Sequence, residues 1–172
     1  MTTSLETGLR DGTWTVRPDD TVASFTVREL GLIRVRGGLP VTGGSVTVRD
    51  GRPVAATATL DATAVRTGNR KRDADLQGKR FFRTAEHPRI RVRSTGIGPA
   101  GDGWAVTATL AVAGGEAPVD LRVDSDPGPV PGTVRIRVTG VLDRAGTPIR
   151  APRWLIGRRV AIEVQATLSQ PR

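Results

Sequence analysis

The clearest pattern in the sequence is a strict alternation of apolar residues with polar or small ones over short stretches. From Trp104 to Val112, every second residue belongs to one apolar series. Successive side chains of a β-strand point to opposite faces, so this spacing predicts a strand with one buried face. The predicted one-face sets are Trp104, Val106, Ala108, Leu110 and Val112; Ala23, Phe25 and Val27; Val54, Ala56, Ala58 and Leu60; Val119, Leu121 and Val123; and Val160, Ile162, Val164, Ala166 and Leu168.

Glycine and proline separate the alternating stretches. The chain has 21 glycines and 12 prolines, and several stand in turn-forming pairs such as Asp50-Gly51 and Asp102-Gly103. Such pairs favour tight hairpins between antiparallel strands. The spacing predicts about eight to ten strands joined by short loops, which is typical of an all-β sandwich or barrel.

One segment, residues 69–78, interrupts the alternation. It lacks β-branched residues, begins with Asn69 and ends with Gly78. An asparagine N-cap and a terminal glycine predict one short helix. Leu76, together with Phe81 and Phe82 just after the segment, is expected to hold the helix over one end of the sheet structure.

The predicted inner faces carry several small residues. Ala56, Ala58, Ala108 and Ala166 all point inward in this interpretation, and aromatic residues make up only 3% of the chain. A closed barrel with so little bulk inside is expected to contain an elongated apolar cavity. The alternative is a flattened sandwich in which the alanines pack tightly and leave no space.

Length and composition exclude several classes of protein. The 172 residues fit one domain, expected over residues 13–169 after a flexible segment at residues 1–12. With no cysteine and a single histidine, disulfide frameworks, thiolate metal sites and multi-histidine sites are excluded, and no cofactor or metal is expected. The N-terminus lacks a signal-peptide pattern and no stretch is apolar enough to span a membrane, so a cytoplasmic protein is expected.

The charge is strongly positive, with 26 basic and 17 acidic residues and a net charge of +9. Arginines alternate with apolar residues in residues 33–36, 89–93 and 134–138, which predicts outward arginines on strands. A solvated outer face explains them, while a basic barrel that binds nucleic acid or another polyanion is the alternative. The aromatic residues form no RNA-recognition signature, so a nucleic-acid partner is not expected.

No catalytic motif is present in the sequence. Glycine pairs fall in hairpins and not between a strand and a helix, which excludes phosphate-binding and dinucleotide-binding loops. Asp73, Asp75 and His87 are the residues on which an enzyme could depend, and they form a second alternative. Arg72 and Arg144 are either members of structural ion pairs or contacts for a ligand headgroup.

The order of motifs resembles the YceI-like family of polyisoprenoid-binding, lipocalin-like barrels. Trp14-Thr-Val and residues 22–31 (VASFTVRELG) are similar to its opening strands, and residues 67–76 (TGNRKRDADL) with Phe81-Phe82 and His87-Pro88-Arg-Ile resemble its most specific stretch. Further similarity is found at residues 110–119, at Asp143-Arg144 and at residues 155–162, so the resemblance covers about residues 13–169. It implies an antiparallel lipocalin-like β-barrel of about eight strands with one short helix.

Three positions depart from the family pattern. Asp20, Glu29 and Asp75 stand where the family usually carries histidines. Exchanging imidazoles for carboxylates changes the charge around a pocket, so the sequence indicates a diverged member whose ligand differs from that of its relatives.

The resemblance implies a binding protein and not an enzyme. Its expected ligand is a long apolar molecule, an isoprenoid, a quinone-like compound or another lipid, held inside the barrel for transport, storage or sensing. Arg72 and Arg144 are then the expected headgroup contacts, and a homodimer is one expected assembly. The predicted ligand-binding residues, inward by alternation or near the ends of the barrel, are Trp14, Phe25, Val27, Phe81, Phe82, Val106, Ala108, Leu110, Trp154 and Val164.

Overall fold

The chain folds into a single antiparallel sheet that closes on itself. The computed structural model describes residues 9–150 and 156–171. The ten strands are β1 (Gly12–Val16), β2 (Val22–Glu29), β3 (Ile33–Leu39), β4 (Val41–Arg49), β5 (Arg52–Asp61), β6 (Arg89–Ala100), β7 (Gly103–Val112), β8 (Gly115–Pro127), β9 (Thr133–Asp143) and β10 (Arg159–Ser169), and the helix α1 is Arg70–Leu76. Short 3-10 turns lie at Pro18–Asp20, Ala62–Ala64 and Arg144–Gly146.

Eight of the strands form a closed barrel in the order β1-β4-β5-β6-β7-β8-β9-β10. The ring is closed by a short pairing of β1 with β10, where Val16 lies opposite Leu168. The prediction of an antiparallel barrel with one short helix is confirmed, and the flattened sandwich is not what the chain forms.

The β2–β3 hairpin supplies the two additional strands. β2 pairs with β10 from Gln165 to Ala161, beyond the point where β1 has ended. The free edge of β3 makes a bridge to Arg66, in the segment between β5 and α1. The hairpin therefore extends the barrel wall along the part of β10 that β1 does not reach.

The inner face follows the predicted alternation with one exception. Between β4 and β5, Thr47 pairs with Ala55 but Val48 pairs with Pro53, so Val54 of β5 is the extra residue of a β-bulge. The prediction that Val54 shares the inner face with the later residues of β5 is wrong, because the bulge turns this side chain outward and leaves it 48% exposed.

The predicted helix is present and forms for the expected local reasons. The Asn69 side chain accepts a hydrogen bond from the Arg72 backbone N–H at 2.9 Å, and the helix ends at Leu76 before Gln77 and Gly78. No helix among the described residues has the length and apolar character required to cross a membrane.

The arginine series point outward as the alternation predicts. Arg89, Arg91 and Arg93 on β6 are exposed, and Arg135 and Arg137 on β9 are exposed as well. Arg34 and Arg36 of the third series are exposed on β3. The series on β6 and β9 are separated by β7 and β8, and β8 carries the carboxylates Asp120, Asp124 and Asp126 between them. The described arginines therefore do not form one continuous basic face.

Candidate ligand-binding cavity

The barrel interior contains a cavity of about 300 Å³. All five predicted inner faces contribute to its wall. Eight of the ten predicted ligand-binding residues line it, namely Phe25, Val27, Phe81, Phe82, Val106, Ala108, Leu110 and Val164. This volume lies at the lower end of the range for small-molecule pockets, about 300 to 1,000 Å³.

Small side chains leave this space open. Ala56, Ala58, Ala108 and Ala166 all line the cavity, in strands whose other inward residues are mostly Val, Leu or Ile. Across the β2–β3 hairpin, Gly37 stands opposite Phe25. A Cβ atom at Gly37 would lie 2.3 Å from the Phe25 ring, so the glycine provides the room for that ring. Gly37 was not predicted, although its place across a hairpin from an inward aromatic residue is the pattern that identifies it.

One end of the barrel, here called the Trp14 end, is filled by packing. Trp14 is 2% exposed, and its Nε1 donates a hydrogen bond to the Arg10 carbonyl at 2.9 Å. It packs with Leu9, Val48, Val134 and Leu168, and Leu9 and Leu168 also line the cavity. Trp14 itself does not line the cavity and lies behind Leu9 and Leu168, which close the cavity at this end.

The opposite end, here called the helix end, is covered by short connecting segments. Leu76 of α1, Phe81 and Phe82 after it, and Ile149 and Ile156 contribute to the cavity wall here. These five side chains are only half-buried. The predicted residue Trp154 lies outside the described residues.

Polar atoms in the wall are few. Five of the described lining residues carry hydroxyl groups, and Arg144 is the only charged residue in the described part of the wall. Arg144 is 5% exposed, and its guanidinium donates to the carbonyl oxygens of Gly157 at 2.8 Å and Ile156 at 2.5 Å. The Nε1 atom of Trp104, also a lining residue, is buried without a hydrogen-bond partner in the described structure. The interior can therefore solvate a hydrocarbon but offers little to a strongly polar molecule.

Comparison with known proteins assigns this architecture. A family model for the YceI-like domain matches residues 14–168. The chain belongs to the YceI-like family. No match was found among curated proteins.

Solved structures share the YceI-like fold at low sequence identity. BcnA of Burkholderia cenocepacia is similar with a TM-score of 0.78 and 18% identity, over 88% of this chain and 98% of BcnA. A polyisoprenoid binding domain from Saccharophagus degradans, implicated in plant cell wall breakdown, has a TM-score of 0.70 and 16% identity over 92% of this chain and 98% of that domain. The Campylobacter jejuni YCEI protein has a TM-score of 0.67 and 15% identity over 84% of this chain and 90% of that protein.

The three acidic residues that depart from the YceI-like pattern lie outside the cavity wall. Asp20 forms an ion pair with Arg17 at 3.1 Å in the turn before β2. Glu29, at the end of β2, lies 3.7 Å from the Arg72 guanidinium, and Asp75 is exposed on α1. The carboxylates therefore lie on the surface around the barrel and leave the wall of the cavity apolar.

Arg72, a predicted headgroup contact, does not line the cavity. Its Nε and Nη2 atoms donate to the hydroxyl and carbonyl oxygens of Thr67, each at 2.9 Å, and Nη1 faces Glu29. These contacts join α1 to the β2–β3 hairpin. Arg144, the other predicted headgroup contact, lies in the wall.

The residues of the enzyme alternative also lie outside the cavity wall. Asp73 accepts hydrogen bonds from the Thr67 backbone N–H at 2.8 Å and the Thr67 hydroxyl at 2.5 Å, which ties α1 to the preceding loop. His87 lies 3.8 Å from Glu86 and against Gly114. Within the described ranges, no group of three or more His, Cys, Asp or Glu residues could hold a metal ion.

The pKa values of Asp11, Glu163 and Arg158, which lie outside the cavity wall, are shifted. Backbone hydrogen bonds from Gly51 and Asp50 lower the pKa of Asp11. A hydrogen bond from Gln165, followed by the contact with Arg137, lowers the pKa of Glu163. The Asp143 carboxylate raises the pKa of Arg158. These shifts come from contacts on the barrel surface.

Proposed function

We propose that this YceI-like barrel binds a long apolar molecule in its interior and releases it unchanged, as a carrier, storage or sensing protein. The ligand is an isoprenoid, a quinone-like compound or another lipid. The single observation that carries the proposal is the cavity of about 300 Å³ inside a closed barrel, whose described wall has Arg144 as its only charged residue. The polyisoprenoid binding domain from Saccharophagus degradans, which shares the fold, supports the ligand class.

The energetics of such a site favour chain-like ligands. Each buried CH₂ group contributes about 0.8 kcal/mol, which corresponds to about fourfold in affinity. Affinity for a series of isoprenoid alcohols should therefore rise with chain length until the cavity is full. Arg144 is the only cationic group in the described part of the wall, so we assign it, at the helix end, to the polar end of the ligand.

The test is a titration of isoprenoid alcohols of increasing length against wild-type protein and two variants. Ala108→Phe places a ring in the cavity, whereas Ala105→Phe adds the same ring to the exposed outer face of the same strand, β7. We expect Ala108→Phe to lose binding and Ala105→Phe to retain it, with both variants folded by circular dichroism. Equal binding by the two variants would place the ligand outside the cavity.

The salt dependence separates this proposal from the polyanion alternative. Burial of an apolar chain changes little with salt, because screening acts on charges. Binding of nucleic acid through several arginines falls steeply and linearly on a log–log plot. Wild-type protein should therefore bind the isoprenoid with nearly constant affinity between about 0.1 M and about 0.5 M salt. Loss of binding over that range would contradict an interior site.

A further inference from the structure

The turn of the β2–β3 hairpin presents large apolar side chains to solvent. Leu32 is 90% exposed, Leu30 is 51% exposed and Ile33 is 54% exposed. We call these three residues the hairpin tip. They are consecutive except for Gly31, and the contact of Glu29 with Arg72 places them beside α1 at the helix end of the barrel. Single exposed apolar residues are ordinary on a protein surface, but three together indicate a contact surface.

In the hairpin tip, Leu30 has a backbone conformation that is unfavourable for leucine. Leu30 and Gly31 have φ angles of 53° and 72°, almost the same as the 52° and 71° of Asp50 and Gly51 in the β4–β5 turn. Asp-Gly is an ordinary choice for two left-handed residues, because aspartate tolerates this conformation and leucine does not. The same turn conformation is thus adopted by Asp50, which tolerates it, at the Trp14 end and by the strained, exposed Leu30 at the helix end. Strain of this kind points to a role other than folding.

Exposed cations flank the hairpin tip on β2 and β3, and α1 carries two more. Arg28 and Arg34 stand opposite each other on the outer face of the hairpin, and both are exposed. Arg70 and Lys71 are exposed on α1, next to Arg72. None of these four side chains has an ion-pair partner among residues 9–150 and 156–171. Apolar side chains projecting from a rim of unpaired cations match a bilayer surface with anionic lipids.

We propose that the hairpin tip docks this protein on an anionic lipid bilayer. Leu30 and Leu32 enter the interfacial region of the bilayer, and Arg28 and Arg34 bind the lipid phosphates. A second copy of the chain fits the hairpin tip less well than a bilayer does. Its own Arg28 and Arg34 would face the same two residues of the first copy, and like charges repel each other. Docking holds the helix end of the cavity at the bilayer surface. Docking of the hairpin tip is separate from ligand binding in the cavity and does not depend on it.

The test is cosedimentation of the full chain with vesicles of phosphatidylcholine, alone or with about a quarter phosphatidylglycerol. Wild-type protein should bind only the anionic vesicles, and less as salt rises. Leu32→Ser and Leu30→Asn should each weaken binding about tenfold, and Arg28→Gln with Arg34→Gln should weaken it at least as much. Val130→Ser is the control. It removes an apolar side chain that is 50% exposed in the β8–β9 loop, and it should leave vesicle binding unchanged.

Two outcomes would overturn the proposal. One is equal binding of anionic vesicles by Leu32→Ser, Leu30→Asn and wild-type protein. The other is a change from dimer to monomer on Leu32→Ser, measured by light scattering, because that would place a second copy on the tip. Isoprenoid titration of the same variants distinguishes this failure from a failure of the cavity, since the tip residues do not line it.

Discussion

The Trp14 end and the helix end of the barrel differ in how their apolar side chains are covered. At the Trp14 end, Trp14 is 2% exposed and the Asp50–Gly51 turn is bound by the Asp11 carboxylate through two backbone N–H groups at 2.9 and 2.8 Å. At the helix end, Phe81 and Phe82 are half-buried and Leu32 is 90% exposed.

This difference indicates that the two ends of the barrel have different roles. Packing and backbone hydrogen bonds cover the apolar side chains of the Trp14 end, whereas Phe81, Phe82 and Leu32 leave apolar surface of the helix end available to other molecules. Elements with few buried contacts open more readily than a packed core. The helix end is therefore the end through which we expect a ligand to enter, and substitutions at the two ends should have different effects.

The largest expected effect is at the Trp14 end. Trp14→Ala removes a buried ring and the hydrogen bond to the Arg10 carbonyl, and it should lower the free energy of unfolding by about 3–5 kcal/mol. Urea unfolding followed by circular dichroism measures this. Trp14→Phe keeps most of the apolar volume and should cost clearly less. Similar stability of Trp14→Ala and wild-type protein would show that this end is not the stabilising one.

An exchange between the two turns comes next in size. Leu30→Asn relieves a leucine held at a φ of 53° and should raise the free energy of unfolding by about 1 kcal/mol. Asp50→Leu puts the same strain into the equivalent turn and should lower it by a similar amount. Both are measured by urea unfolding. Destabilisation by Leu30→Asn would mean that Leu30 makes a contact that stabilises the fold.

The smallest effect concerns Asp11. Its pKa is lowered in the folded state by backbone hydrogen bonds from Gly51 and Asp50, so the charged carboxylate stabilises the fold above the pKa of the unfolded chain, about 3.9. This stabilisation is lost as the pH falls through the folded-state pKa. Asp11→Asn should therefore be slightly less stable than wild-type protein at about pH 7, and this difference should be smaller at about pH 3, below the pKa of the unfolded chain. A stability difference that is the same at both pH values would contradict this origin.

Alternation predicted the barrel because it is a local property of each strand. The inner faces of β7, β8 and β10 were predicted correctly, since a period of two residues fixes which side chains share a face. Val54 was misplaced because a β-bulge depends on the pairing of two strands and leaves no signal in one of them. Asn69 and Gly78 predicted the helix for the same local reason, since capping involves only neighbouring residues.

The site was predicted less completely than the fold. Trp14 was expected beside the ligand, but an inward position near the end of a strand belongs either to the cavity or to the packing beneath it. The sequence does not show where the cavity ends and the packed Trp14 end begins. Gly37 was missed because its role depends on the Phe25 ring across the hairpin. The exposure of Leu30 and Leu32 likewise depends on how far the hairpin extends beyond the barrel.

Identifying what the cavity holds tests directly whether the barrel binds its ligand inside. Wild-type protein and the Ala108→Phe and Ala105→Phe variants would be purified in parallel, extracted with organic solvent and analysed by mass spectrometry. We expect one long apolar compound at near-stoichiometric amounts in wild-type protein and Ala105→Phe, and its absence from Ala108→Phe. Equal amounts of the compound in Ala108→Phe, or wild-type protein that carries no lipid and binds no added isoprenoid, would contradict it.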